Sequence, residues 1–231
     1  MICLKILHFV RSRHALLSGI LCALLMIHPL FSLAREKEEP IAYYSGNSGV
    51  SLMFNVYENS EAVEAILDIL DRYGVKASFF LGGVWAVNNE DLVLRMKNSG
   101  HDIGNHGYLH KLPTSVGQEM TEEEILRTDA ILTDILGEKP FLYAPPSGDY
   151  DQSSVEIAHS LGYKTILWSA DTIDWRDRDE ALILKRAVTK ITDGGFLLMH
   201  PTDATVKALP MIIDSYAQMG FEMRTVSENL K

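Results

Sequence analysis

Cysteine is almost absent from this chain. It has two in 231 residues, Cys3 and Cys22, both close to the amino end. Beyond them a disulfide scaffold, a thiolate zinc site and a cysteine nucleophile are all excluded. Basic charge is also scarce, with 21 Lys+Arg against 31 Asp+Glu and a formal net charge of −10. No basic stripe is available to neutralise phosphates, which argues against nucleic acid as a partner. A Gly-rich phosphate loop is missing too. After the first apolar run the sequence reads Phe54-Asn55-Val56-Tyr57, so a nucleotide-binding α/β protein fits poorly. There are no repeats and no low-complexity tracts. A composition of 47% hydrophobic and 23% charged residues is that of a globular chain, not a disordered one.

One long hydrophobic run is present. Ala15 to Leu33 is almost uniformly apolar, preceded by Lys5, Arg11, Arg13 and His14. It ends in the small-x-small site Ser32-Leu33-Ala34, and the charged run Arg35 to Glu39 follows. This is the layout of an export signal over residues 1–34. The run is ~19 residues, also long enough to remain as an uncleaved membrane anchor. Either way the domain is expected outside the cytoplasm, cell-wall associated or membrane-anchored. Gly19-Ile20-Leu21 lacks the small residue that a lipid anchor needs just ahead of Cys22. The leader takes three of the Lys+Arg, none of the acids and both cysteines with it, leaving a net −13. The exported part must therefore rely on its core.

Residues 35–49 read as a linker, with Pro40 and then Ser45-Gly46-Asn47-Ser48-Gly49. From Val50 to Lys231 short apolar runs alternate with helical periods, as in a single domain. The expected strands are Val50–Phe54, Ala77–Leu81, His101–Asn105, Phe141–Tyr143, Thr165–Trp168, Phe196–Met199 and Glu222–Val226. Val63, Ile66, Leu67 and Leu70 have i, i+3, i+4, i+7 spacing, as do Leu184, Ala187, Val188 and Ile191. Thr121-Glu122-Glu123-Glu124 has the form of a capping box opening a further helix that ends before Gly137. Some seven strand–helix alternations imply an α/β fold with a parallel sheet, either doubly wound or closed as a barrel. His106 to Thr121 is expected to be a long functional loop.

The polar groups are placed informatively. Asn55, the pair His106 and His110, the turn Pro145-Pro146-Ser147-Gly148, the group Asp171, Asp174 and Trp175, and His200 each follow a different expected strand. In parallel α/β folds the carboxyl edge of the sheet is where sites are built. His106 and His110 have the spacing by which two imidazoles reach one metal ion, though two polar loop histidines have the same spacing. Only five histidines lie beyond the leader, and His106, His110 and His200 fall on this expected mouth. Asp171 and Asp174 read equally as turn or capping residues.

Taken together these segments resemble the polysaccharide deacetylase family, the nodulation-protein-type carbohydrate esterases. Gly100 to His110 is similar to that family's signature ending in His-x-x-x-His. Tyr143-Ala144-Pro145-Pro146-Ser147-Gly148 is similar to its Arg-Pro-Pro-x-Gly loop. Asp171-Thr172-Ile173-Asp174-Trp175 resembles its Asp-x-x-Asp-Trp segment, and Leu198-Met199-His200 its Leu-x-His. The motifs come in the family's order between Val50 and His200. The resemblance implies a distorted (β/α) barrel of about seven parallel strands. It also implies removal of acetyl groups from cell-wall or chitin-like polysaccharide by a divalent metal, commonly zinc. Carried over by residue, His106 and His110 would bind the metal and His200 would protonate the leaving amine. Asp171 would hold His200. Trp175 and Leu198 would wall the acetyl pocket, while Pro145, Pro146, Gly148 and Tyr150 shape one rim. No protein partner is implied.

Three departures stand out. The family's Thr-Phe-Asp-Asp-Gly is here Met53-Phe54-Asn55-Val56-Tyr57. Asn55 replaces the general base with an amide that takes up no proton. Val56 replaces the third metal ligand, and Ala144 replaces the arginine that pairs with the base. The losses are mutually consistent, since an arginine without its counter-charge is costly to bury. They resemble the divergent, sporulation-associated branch of the family. Two readings stay open: a hydrolase whose metal site is rebuilt with Glu58, Asp149 or Asp151, and an inactive homologue that binds cell-wall glycan.

Overall fold

The computed structural model describes residues 41–231, so the expected leader and the first part of the linker lie outside the described residues. Among the described residues no helix is long and apolar enough to cross a membrane. The strands are β1 (Ala42–Tyr43), β2 (Ser51–Val56), β3 (Ser78–Leu81), β4 (Asp102–Asn105), β5 (Leu142–Tyr143), β6 (Lys164–Ile166), β7 (Ala170–Asp171) and β8 (Phe196–Met199). They form one all-parallel sheet in the order β1-β6-β5-β4-β3-β2-β8-β7. The main helices are α1 (Ser60–Tyr73), α2 (Gly83–Val87), α3 (Glu90–Asn98), α4 (Pro113–Val116), α5 (Gln118–Leu136) and α6 (Gln152–Ser160). After them come α7 (Asp174–Asp177), α8 (Glu180–Lys190), α9 (Asp203–Gln218) and α10 (Val226–Asn229). This curled α/β sheet is the distorted barrel expected from the sequence.

Period-two alternation on the strands sorts the core into two layers. Met53, Phe80, Ile166, Phe196 and Leu198 fill the inside of the curl. Leu52, Phe54, Val56, Phe79, Leu81, Leu197 and Met199 face out and pack against helix residues such as Val63, Ile66, Leu67 and Ile212. Every residue of β2 is buried, which is why that run reads as continuously apolar. Asn55 shares the inner face with Met53.

Several expectations are corrected. Glu222–Val226 does not form a strand: Val50 and Met223 make one bridge, and Thr225 then caps α10 reciprocally with Glu228. Two short strands were not anticipated, β1 and β7. Residues 41–49, expected in the linker, belong to the fold. Ala42 and Tyr43 pair with Thr165 and Ile166, and Ser45 bridges Gly195. The Thr121–Glu124 capping box does not form, because α5 begins three residues earlier. The Thr121 hydroxyl donates to the Gly117 carbonyl (2.8 Å), while Glu124 serves the loop beside it. Gly137 does end α5, at φ 70°. The stretch from His106 to Thr121 is not wholly irregular, since it holds α4.

Gly104 shows how tight the inner layer is. A Cβ there would lie 2.5 Å from Phe80 Cδ1 and 2.9 Å from the Leu142 carbonyl oxygen. Gly104→Ala is expected to cost ~1–3 kcal/mol of stability through overpacking. Chemical denaturation should show a lower midpoint at unchanged m-value.

Candidate functional site

Six strand ends deliver side chains to one cavity of about 250 Å³, lined by Asn55, Tyr57, His110, Ser147, Trp168, Asp171, Trp175, Leu198 and His200. Among the residues singled out from the sequence, Asn55, His110, Asp171, Trp175, Leu198 and His200 meet here. His106 lies fully buried outside the lining. Pro145, Pro146, Gly148 and Tyr150 do not line the cavity. Gly148 acts through packing: a Cβ on it would fall 2.5 Å from Trp168 Cη2, so its absence lets the indole reach the wall. The Tyr150 hydroxyl is paired with that of Tyr44 on the surface.

The histidine loop is held from several sides. Asn105 Oδ1 accepts from Gly107 N (2.9 Å), and Glu124 Oε2 accepts from Leu109 N (2.7 Å). Gly107 takes φ 76°, turning the chain sharply after β4. His106 Nδ1 donates to the Ala144 carbonyl at 2.7 Å, which leaves the lone pair on Nε2; that atom is buried with no partner. Burial, with His110 and His200 nearby, pushes His106 down to about 3. His110, at φ 57°, is lowered too, chiefly by burial and then by His200. The two rings lie 4.9 Å apart, centroid to centroid.

Tyr57 stands over this pair. Its ring centroid is 4.4 Å from that of His110 and 6.3 Å from that of His106. Val56, the residue before it, turns away from the cavity into the outer core. Asn55 faces inward, and its Oδ1 is buried without a partner. None of the carboxylates considered as a replacement ligand reaches the histidines. Asp149 accepts from Thr114 N and Oγ1, both at 2.8 Å, and Asp151 caps α6 through Ser154 N. Glu58 lines a neighbouring groove of about 650 Å³ with Asn59 and Arg178. Among the described residues no three His, Cys, Asp or Glu side chains are placed to hold a metal ion. A stable zinc site wants three or more protein ligands. Two neutral imidazoles under a phenol ring do not fit one.

His200 is held by Asp174, not by Asp171 as the resemblance implied. Asp174 is fully buried and accepts four hydrogen bonds: from His200 Nδ1 (2.8 Å), His200 N (2.7 Å), Trp175 N (2.9 Å) and Thr205 Oγ1 (2.6 Å). The cause is local. Ile173 adopts φ 55°, a conformation β-branched residues avoid, and this corner tucks Asp174 under His200. Asp171 instead accepts from Ile173 N (2.7 Å) at the cavity wall, and burial raises its pKa. Tyr57, Ser147 and Trp168 were not named as site residues from the sequence. Tyr57 stood at a motif position, but its meaning as a cover needed the fold.

Residues 44–166 match the polysaccharide deacetylase family. The chain belongs to that family. As a family member it is 35% identical over 205 residues to YlxY of Bacillus subtilis, an uncharacterized protein, covering 87% of this chain and 64% of that one. Identity to the peptidoglycan-N-acetylglucosamine deacetylase PgdA of Listeria monocytogenes is 31% over 183 residues, or 79% of this chain and 39% of PgdA. The chain therefore spans less than two thirds of these relatives. Among solved structures, BA3943 of Bacillus anthracis, a CE4 family pseudoenzyme, superposes with a TM-score of 0.81 at 31% identity, over 85% of this chain and 71% of that one. The Bc1960 peptidoglycan N-acetylglucosamine deacetylase superposes at 0.79 and 30%, over 83% and 94%. Polysaccharide deacetylases depend on a metal in general, and this member departs from the family at that point.

Two outcomes follow. Zinc titration should give weak binding for the wild type and for Asn55→Asp/Val56→Asp, with tight one-to-one binding once Tyr57→Gly is added. Equal affinity with and without Tyr57→Gly would show that the phenol is not the obstacle. Second, His101 and His106 are buried neutral, held at about 4 and about 3 against a usual 6.5. The unfolded chain therefore takes up protons that the native one refuses as pH falls from 6.5. Their contribution is complete above pH 6.5 and is lost progressively towards pH 3. Between pH 6.5 and 4 the fall in stability should be shallower in His101→Gln/His106→Gln than in wild type, measured by urea unfolding.

Proposed function

We propose that this chain is a non-hydrolysing polysaccharide deacetylase homologue that is exported and binds cell-wall or chitin-like glycan in the cavity. The observation that carries this reading is the Tyr57 ring against His110, with Asn55 at the base position and Val56 turned into the core. An amide accepts no proton from water, and two covered imidazoles do not assemble a Lewis acid. The aromatic groups suit sugar binding. Trp175 is 52% exposed and Tyr57 40%, and Trp168 is part of the same wall. Flat apolar faces with a few polar groups between them are the usual make-up of a small-molecule cleft. The pseudoenzyme character of BA3943 supports the reading from outside the chain. Location at the cell wall rests on the leader.

The hydrolase reading has one observation in its favour, the intact Asp174–His200 pair, which leaves Nε2 as the ring nitrogen free to exchange a proton. The experiment separates the two. Full-length protein incubated with peptidoglycan or N-acetylglucosamine oligomers, with and without added zinc, is expected to release no acetate. Titration calorimetry with the same oligomers is expected to show binding that Trp175→Ala weakens about tenfold, the loss of one aromatic contact. Turnover in acetate release would overturn the proposal, as would an absence of glycan binding.

A further inference from the structure

The charge left in the cavity points to a more specific ligand. None of the nine lining residues is Lys or Arg, while Asp171 presents a carboxylate there. Asp171 has one hydrogen bond, from Ile173 N, and makes no ion pair. Lys190 and Arg176 act on it from outside the wall, Arg176 being itself paired with Asp177, and His200 acts on it from within the wall. The buried carboxylate of Asp174 adds a second negative group behind His200. Ala144 stands in place of the family's arginine, and the Tyr57 ring packs against His110. The cavity is therefore an anionic pocket with three aromatic side chains, Tyr57, Trp168 and Trp175, in its wall. That combination recognises an ammonium group, by ion pairing in a partly desolvated site and by attraction to the ring faces.

We infer that the cavity takes a de-N-acetylated amino sugar, with the 2-ammonium group set against Asp171 among Tyr57, Trp168 and Trp175. This rests on the glycan-binding reading above and narrows it: the ligand is glycan from which acetyl has already been removed. An intact acetamido sugar would bring no positive charge to Asp171 and would leave its free oxygen to find an uncharged donor.

The test compares a glucosamine tetramer with an N-acetylglucosamine tetramer, titrated into the full-length protein at low and at physiological salt. The amino form is expected to bind about tenfold more tightly, the size of one ammonium–aromatic and carboxylate contact. Asp171→Asn, which keeps the acceptor for Ile173 N, should abolish the preference. Glu122→Gln removes the same charge from an exposed helix position and should keep it. Equal affinities, or tighter binding of the acetylated form, would overturn this inference and leave glycan binding standing. A preference that survives in Asp171→Asn would assign it to the overall negative charge and overturn the inference too. Binding of neither tetramer would remove both readings.

Discussion

The mouth of this barrel is organised around one buried anion. Asp174 is wholly out of water, and a carboxylate in that position is tolerable only with its lone pairs engaged. It draws donors from three separate segments: the Trp175 amide on its own turn, the His200 amide and imidazole beyond β8, and the Thr205 hydroxyl on α9. The requirement is strong enough to hold Ile173 at φ 55°. It fixes the tautomer and direction of His200, and it sets where Asp171 and Trp175 end up on the cavity wall.

A second constraint is the alternation along β2. Asn55 faces the inside of the curl, so Val56 must face the helices. Tyr57 then leaves the strand on the side of the histidine loop. Three consecutive replacements thus have three different consequences: a base becomes an amide, a ligand position joins the core, and a ring covers the imidazoles. Each is an ordinary outcome for its residue type. On the non-hydrolysing reading these three replacements act together, and they leave the cavity itself in place. The surviving Asp174–His200 pair is explained by its structural work as well as by any chemistry, because Asp174 is the buried acceptor that ties His200, Trp175 and Thr205 together.

The family's fold and a cavity at the strand ends persist here while the first motif and the arginine position have changed. What remains is a pocket whose balance of charge has changed. A metal-dependent site is built around positive charge, which stabilises an oxyanion. In this chain the cavity wall holds no Lys or Arg, and the carboxylates at 171 and 174 remain. The same walls therefore favour a different partner chemistry, and fold alone does not report which.

Much of the architecture was legible from residue patterns. The apolar runs at Val50–Phe54, Ala77–Leu81 and Phe196–Met199 are strands because both of their faces are covered. The periods at Val63 and Leu184 are helices because one stripe faces the sheet. The meeting of Asn55, His110, Asp171, Trp175 and His200 also followed from their places after successive strands, since a parallel sheet brings those ends to one edge, while Leu198 came from the family resemblance. Two of the short elements were not legible, although β5, equally short, was. β1 and β7 are two residues each, and no periodicity exists at that length. Residues 41–49 looked like linker because their order comes from pairing with Thr165 and Gly195, far along the chain. Likewise only the fold could choose between Asp171 and Asp174 as the partner of His200. Three residues separate the two, and a left-handed corner at Ile173 decides which carboxylate is buried. Residue patterns alone specify the layers, the order of the motifs and the departures at Asn55 and Val56 from the family's motif. Tertiary structure decided what covers the histidines and which charges face the cavity, because both depend on side-chain direction at the ends of strands that sequence spacing alone does not specify.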